Sequence, residues 1–374
     1  MFDRDTVIVM RYAMIMAGGS GTRLWPVSRK DRPKQLAPII GGRSLLDIAI
    51  ERARSVAPAD NISICASQAY LDAIAAAAPD LPDDLMLGEP TGRDTLNAIG
   101  FAAAVLATRD PDAAFCVLTA DHLIEPLEAF ATCVKTGFDL VEAQPNRLVT
   151  FAIAPTFAAT GFGYVHKSNA LEGDLPVPAH RVARFVEKPD AETAQRYVAS
   201  GEYGWNSGMF VWKAQTFLNA VAAHQPDAHA GLMTIADAWG TEAQQETLAR
   251  VYPTLPKISV DFAIMEPASK PESDFDVCAV DMSLDWRDVG SWPSYAETIH
   301  GDDRGVRVAD AGGGHTVLDC DNTLIVSEDP SHHVAALGMK DVVIVHTRDA
   351  TLVMPAHEAQ RLKELHGLLP EQVK

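Results

Sequence analysis

The chain has 374 residues, 47% hydrophobic and 22% charged, with 31 basic residues against 50 acidic ones and a formal net charge of -19. So acidic a balance excludes a general nucleic-acid binder, which needs a broad basic face, and no run reaches the ~18 apolar residues of a membrane span. The length suits two domains, or one large domain with an appendage, around a sizeable core. The five cysteines, at 65, 116, 133, 278 and 320, form no C-x-x-C pair. They read as reduced, buried thiols of a cytoplasmic protein. The opening "MFDRDTVIVMRYAMIM" does not read as a signal peptide, because its charges come early and Arg11 interrupts the apolar run.

Along the chain, "YAMIMA" (12–17) predicts a strand and "SLLDIAIERARSV" (44–56) a helix, with Leu45, Ile48, Ala49 and Arg52 on one stripe. A strand at 61–67 follows, then a short alanine-rich helix around 73–78 and a longer one at 95–109. A strand at 114–120, a helix at 130–143 and a strand at 148–154 continue the alternation. Nearly all-apolar strands alternating with helices predict an α/β fold, a Rossmann-like, mostly parallel sheet covered on both faces. Ligands of such sheets bind beyond the carboxyl ends of the strands, so the loops after 17 and after 120 are expected to face one crevice. After about residue 300 short strands with Gly, Asp and Asn turns predict a small C-terminal β appendage, β-helix-like. "AHEAQRLKELHGLL" predicts a closing amphipathic helix, and the polar turn "HGDDRG" (300–305) places a boundary between domains 1–300 and 301–374.

"GGSGTR" (18–23) follows the first strand. Glycines there let backbone N–H groups approach phosphate oxygens. The spacing is neither G-x-G-x-x-G nor the P-loop, which sets aside a dinucleotide-dependent dehydrogenase. Alone the loop reads equally as a plain turn. Five cations follow within twelve residues: Arg23, Arg29, Lys30, Arg32 and Lys34, opposed only by Asp31. A turn has no need of them, whereas a triphosphate does, and Pro26 and Pro33 stiffen the segment.

"AGGSGTRLWPVSRKDRPKQ" resembles the signature of the sugar-phosphate nucleotidyltransferases, in particular those that use GTP and mannose 1-phosphate. Further pieces agree in order: "TADHLI" (119–124), "TGFGYV" (160–165), "FVEKP" (185–189), "WNSGMFVW" (205–212), "SVDFAIME" (259–266) and "WRDVGSW" (286–292). The resemblance covers about residues 12–300 and, more loosely, the β tail. It implies transfer of GMP to mannose 1-phosphate, yielding GDP-mannose and pyrophosphate with Mg²⁺ as cofactor. It implies nucleotide contacts from Gly18, Gly19, Ser20, Gly21, Thr22, Arg23, Lys34, Arg93 and Asp121. By the same resemblance Gly163, Tyr164, Glu187, Lys188 and Asn206 meet the sugar phosphate, with Asp261 a minor candidate. Arg23, Lys34, Asp121 and Lys188 are the expected catalytic set, and Asp121 and Asp288 the expected metal ligands. His122 reads as a structural neighbour, and His332–His333 as solvated loop.

The chemistry explains these residue types. Bringing a triphosphate to a sugar phosphate gathers about six negative charges, whose repulsion is severe in a partly dry site. Fixed cations and a metal relieve it. Mg²⁺ favours one or two carboxylates plus phosphate oxygens and water. A noncatalytic sensing subunit is the alternative of a different class, and it would lack part of this set. The chain departs from the family at "GRDTLN" (92–97), where Asp94 stands for an amide and Asn97 for a proline. That puts base selectivity in question, so another NTP or sugar 1-phosphate is the nearer alternative. With the chain stopping at Lys374, no isomerase activity is expected. The β tail, with its exposed strand edges, is expected to form a homodimer.

Overall fold

The computed structural model describes residues 10–19 and 21–374. Ser20 of the expected phosphate loop, and the residues before Met10, lie outside the described residues. The chain forms two compact units: one runs up to Gly18 and takes in Ala49–Ala120 and Ile124–Trp286; the other comprises Gly19–Ile48, Asp121–Leu123 and Arg287–Lys374.

In chain order the elements begin with β1 (Arg11–Met16), α1 (Leu45–Arg54), β2 (Ile62–Ser67), α2 (Leu71–Ala77), β3 (Met86–Glu89), α3 (Thr95–Arg109) and β4 (Ala114–Thr119). They continue with β5 (His122–Glu125), α4 (Leu127–Ala143), β6 (Arg147–Ile153), β7 (Tyr164–Ala170), β8 (Ala179–Val186), α5 (Ala191–Ser200) and β9 (Tyr203–Lys213). Next come α6 (Ala214–His224), α7 (Pro226–Ala238), α8 (Gln244–Val251), α9 (Glu266–Ala268), β10 (Asp276–Asp281) and β11 (Asp285–Asp288). The last are α10 (Trp292–Ala296), β12 (Arg307–Asp310), β13 (His315–Leu318), β14 (Leu324–Ser327), β15 (Val334–Leu337), β16 (Val342–His346), β17 (Thr351–Pro355) and α11 (Leu362–Leu368).

The first unit is built on a nine-stranded sheet, ordered β3-β2-β1-β4-β9-β6-β10-β8-β7. Its first half is parallel, as the all-apolar runs predict: β1 pairs with β2 and β4, and β2 with β3. Helix α3 is buried at every residue from Leu96 to Leu106, so it is apolar all round and lies inside the core rather than on it. The second half is mixed. Strand β9 enters antiparallel between β4 and β6, and β7 and β8 form an antiparallel pair. The burial of β8 comes and goes along the strand, as suits a strand with one solvated face. Parallel β1 and β4 end in register, Met16 beside Thr119, and the Ala120 N–H donates to the Met16 carbonyl at 3.0 Å. The loops that follow these two strands therefore leave the sheet at one level.

The second unit contains the β-helix-like coil. Strands β12, β14 and β16 stack in parallel, β17 closes the layer antiparallel, and β13 pairs with β15 in a second layer. The period of two sorts the side chains of β14. Ile325 turns into the coil with Val306, Cys320, Val334 and Ile344. Leu324 and Val326 turn the other way, onto Leu24, Trp25, Val27, Val289, Trp292 and Tyr295. The expected closing helix is broken into a 3-10 turn at Ala356–Arg361, then α11, then a second turn at Glu371–Val373. All five cysteines are buried and unpaired. Among the described residues no helix is long and apolar enough to cross a membrane.

Trp292 ties this unit together. It is fully buried, and its Nε1–H donates to the Trp25 carbonyl at 2.9 Å. Next to it the Tyr295 hydroxyl donates to the Ile39 carbonyl at 2.8 Å, and Ser291 and Ser294 form a capping box that starts α10. Trp292→Ala should destabilise the protein by about 3–5 kcal/mol. Trp292→Phe, which keeps the ring but leaves the Trp25 carbonyl unpaired, should cost about 1–3 kcal/mol. Urea denaturation checks the order, and equal losses would contradict this account of the core.

Candidate functional site

Within the second unit, Lys34, Asp121 and Asp288 come together. The Lys34 side chain is buried, and its ammonium lies 2.5 Å from Asp121 Oδ2. The Val289 N–H donates to the Asp121 carbonyl at 2.9 Å, which fixes the chain after Asp288 to the chain at Asp121. One ligand atom each of Asp121, His122 and Asp288 lies within 4.8 Å of the others. Gly21 has φ +63, and a Cβ there would stand 2.4 Å from Ser28 Oγ and 2.9 Å from Lys34 Cβ. Only glycine fits where the loop crosses the Lys34 stem. Arg23, in the 3-10 turn Thr22–Leu24, is exposed, and its guanidinium donates to Gln360 Oε1 at 3.3 Å.

The electrostatics of the two aspartates diverge. Burial would push the Asp121 carboxyl up, but Lys34 and His122 outweigh it and hold it well below the ordinary range. Burial and the Asp121 charge together raise Asp288 to about 6, against the pull of Lys34 and Arg23. The shift of Asp288 reflects the repulsion between two carboxylates held close together in a partly dry place. Two carboxylates with ligand atoms this close offer the hard oxygen donors that fit Mg²⁺. His122, next in sequence to Asp121, is buried beside the carboxylates.

The other three cations of the segment go elsewhere. Arg29 pairs with Asp349 at 2.7 Å and donates to Thr347, Arg32 pairs with Glu328 at 2.6 Å, and Lys30 pairs with Glu371. The charge cluster that the sequence suggests for phosphate is therefore divided: Arg23 and Lys34 on one side, three clamps on the β tail on the other.

Within the first unit, Asn206 joins two partners. Its amide N–H donates to Asp261 Oδ1 at 3.0 Å, and its Oδ1 accepts from the Thr150 hydroxyl at 2.8 Å. The Asn206 N–H donates to the Gly163 carbonyl at 2.8 Å. A Cβ at Gly163 would lie 2.5 Å from Glu187 Oε2, so glycine there makes room for the carboxylate. Tyr164 is buried with its hydroxyl on the Ala159 carbonyl, which leaves only its backbone for a ligand. Lys188 has φ +45, and its exposed ammonium pairs with Glu187 at 2.8 Å. That hydrogen bond, against partial desolvation, raises the lysine further. "SVDFAIMEPA" starts a helix as its polar Ser259 suggests: Ser259 Oγ accepts from the Phe262 N–H at 3.4 Å, and the first turn, Asp261–Met265, is π-helical. Burial and the nearby Glu187 charge push the Asp261 carboxyl up to about 7.

Residues 89–97 hold a group that the sequence reading missed. Glu89 ends β3 buried; its Oε1 accepts from the Tyr252 hydroxyl at 2.6 Å, and its Oε2 lies 3.7 Å from where a Gly18 Cβ would be. Burial raises its carboxyl despite the Tyr252 hydroxyl and the Arg93 backbone N–H. Arg93 turns its guanidinium onto the Pro253 carbonyl, so its side chain is a brace for that loop. Asp94, at φ 68 and ψ 177, caps α3 by accepting from the Thr95 N–H at 2.9 Å. Asn97 is buried and donates to the Arg93 and Pro256 carbonyls. The signal for Glu89 was the rule that marks Asp121: a carboxylate at the carboxyl end of an apolar strand.

Residues 12–304 match the family model described as nucleotidyl transferase, and residues 313–369 match a mannoseP isomerase/GMP-like beta-helix domain. The chain is 35% identical over 357 residues to a mannose-1-phosphate guanylyltransferase of Klebsiella pneumoniae, covering 95% of this chain and 73% of that protein. It is 34% identical over 380 residues to a mannose-1-phosphate guanylyltransferase of Escherichia coli K12, covering 97% and 73%. Among solved structures, a mannose-1-phosphate geranyltransferase from Thermus thermophilus superimposes with TM-score 0.83 at 30% identity, covering 96% of this chain and 99% of that one.

Asp261 makes the electrostatic strain of the first unit measurable. Its folded value, about 7, lies above the ordinary aspartate value. The stability it contributes is therefore fully present below the unfolded value, and is lost as pH rises through about 7. Asp261→Asn keeps an oxygen for Asn206 and carries no charge. It should raise the urea midpoint above wild type at about pH 8, by a margin that shrinks as the pH falls toward about 4. A margin independent of pH would contradict the assignment.

Proposed function

The chain belongs to the nucleotidyl transferase family, and we propose that it transfers GMP from GTP to α-D-mannose 1-phosphate, releasing pyrophosphate and GDP-mannose. The observation that carries this reading is the 35% identity along 95% of the chain to a protein of that activity. The paired carboxylates Asp121 and Asp288 beside Lys34 support it chemically. A noncatalytic sensing subunit is disfavoured because Arg23, Lys34, Asp121, Lys188 and Asp288 are all present.

In this reading an oxygen of the sugar phosphate attacks the α-phosphorus of GTP in line. The bond from the α-phosphorus to the bridging oxygen breaks, and its electron pair leaves with pyrophosphate. The nucleophile is already largely dianionic near neutrality, so positioning and charge stabilisation supply the catalysis without a protein base. Asp121 and Asp288 would hold Mg²⁺, which offsets phosphate charge when bound. Lys34 balances Asp121 with one donor and offers its remaining ones to phosphate oxygens. Arg23 keeps its charge for the triphosphate, and the glycine-rich loop contributes backbone N–H groups. Lys188 takes the sugar phosphate, and Glu187, Asn206 and Asp261 take sugar hydroxyls. Glu89, with Gly18 beside it, is our choice for the base: guanine offers N1–H and a 2-amino group as donors, and Glu89 presents Oε2 while Tyr252 holds Oε1. The same reading makes the protein a cytoplasmic homodimer. In its support, Leu318 and Leu337 pair across β13 and β15 at 60% and 65% exposure.

Pyrophosphate release across four NTPs and several sugar 1-phosphates tests the proposal. GTP with mannose 1-phosphate should lead, and a preference for another pair would overturn it. Asp121→Asn and Asp288→Asn should each lower kcat by about a hundredfold or more across a Mg²⁺ titration. Folded variants with near-normal turnover at low Mg²⁺ would remove the metal assignment. Glu89→Gln replaces one acceptor by a donor. It should narrow the wild-type preference for GTP over ITP, which lacks the 2-amino group, by about tenfold. An unchanged ratio would move base selection away from Glu89.

A further inference from the structure

We propose that the C-terminal segment from Ala356 onward is a working part of the nucleotide-phosphate site, with Gln360 the positioning residue for Arg23. The inference rests on the role given above to Arg23.

The segment is anchored where it meets the core and reaches outward from there. Ala359 and Leu362 are buried among the residues around Trp25 and Trp292, while Gln360 between them is exposed. This fixes the backbone on both sides of Gln360 and aims its amide at the Arg23 guanidinium, 3.3 Å away. Helix α11 also packs on the Thr22–Leu24 turn that carries Arg23.

Past α11 the chain grips the same loop further along. The Val373 carbonyl accepts from Trp25 Nε1 at 2.6 Å and also from Arg29. The Lys30 N–H donates to the Lys374 carbonyl at 3.1 Å, and Glu371 pairs with both Lys30 and Lys374. The Arg29 guanidinium sits over the Trp25 ring, 5.6 Å from its centre. Residues 23–30 are thus held from the tail at Arg23, Trp25, Arg29 and Lys30.

The chemistry of the Arg23 contact distinguishes a positioning role from a plain surface bond. Among the described residues Arg23 forms no salt bridge. A carboxylate in the place of Gln360 would orient the guanidinium but cancel its charge. A neutral amide oxygen orients it and leaves the full charge for phosphate. Arg29, Lys30 and Arg32, which clamp structure, are all paired with carboxylates. The guanidinium assigned to phosphate has the amide.

Steady-state kinetics of Gln360→Ala, Gln360→Glu and Arg23→Ala test this, with KM measured separately for GTP and mannose 1-phosphate. Gln360→Ala should raise the KM for GTP about three- to tenfold, the loss of one neutral hydrogen bond. Gln360→Glu should raise it further, because it neutralises Arg23, and its effect should weaken in about 0.5 M salt. Neither should shift the KM for mannose 1-phosphate comparably. A merely structural role would move both constants together, or follow stability, and would not make the glutamate the worse variant. Arg23→Ala separates the premises. If it leaves the KM for GTP unchanged, the reading of Arg23 falls and takes the proposal with it. If it raises that KM while both Gln360 variants match wild type, the proposal alone is overturned.

Discussion

Asp121 and Asp288 cannot stand a few ångströms apart as anions in a partly dry site unless positive charge stands with them. Most of the second unit can be understood as the means of meeting that requirement. Lys34 supplies one charge at 2.5 Å, from a buried stem that leaves little freedom for the ammonium to leave. Gly21 is needed because the loop passes over that stem. The Val289–Asp121 backbone hydrogen bond brings the second aspartate into place, and Trp292 a few residues later locks that chain into the core. Arg23 also bears on Asp288, whose carboxyl burial and the Asp121 charge nevertheless raise to about 6.

The same limit explains the division of the basic segment 23–34. A site that must admit a triphosphate gains from positive charge only where that charge is free. Pairing Arg29 with Asp349, Arg32 with Glu328 and Lys30 with Glu371 removes those three from the reaction and turns them into fasteners. Pairs with at least one exposed partner, as all three have, contribute little stability one by one. Their use here is geometric: they join a long glycine- and proline-bearing loop, which would otherwise be free to move, to the stacked strands of the β-helix-like coil. The charges that stay available are Lys34, held by the very carboxylate it balances, and Arg23, held by an amide.

How much of this could be read from the sequence depends on how local the physics was. Buried parallel strands are legible because each is a continuous apolar run, and α3 was placed at its true bounds because its composition admits no other element. Lys34 stood out as one of the cations that follow the glycine-rich loop, but Asp121 and Asp288 were legible only through the family resemblance, since either carboxylate alone reads as a cap or turn residue. The antiparallel half of the sheet was not read, although β8 carries its one-sided burial in plain view. The fate of Arg29, Lys30 and Arg32 could not be read at all, since their partners lie 320, 341 and 296 residues away. Glu89 was not legible, since its four-residue strand, Met86–Glu89, is too short to stand out as an apolar run. The departures at Asp94 and Asn97 both prove to be braces: one caps α3, the other ties Arg93 to Pro256.

Those braces bear on why the departures are tolerated. Asp94 holds a backbone conformation, φ 68 with ψ 177, that side-chain-bearing residues rarely adopt. Such strain persists only where the surroundings over-determine it, and here they do. The Asp94 carboxylate caps the helix, the Arg93 guanidinium holds Pro253, and Asn97 closes the loop onto two carbonyls. A proline at 97 could make none of the side-chain bonds that Asn97 makes, so the two departures are one solution rather than two accidents. With the Asp94 carboxylate occupied by the cap, the neighbouring carboxylate is Glu89, held by Tyr252 with one oxygen toward Gly18. In this chain the altered motif fixes the shape of the loop.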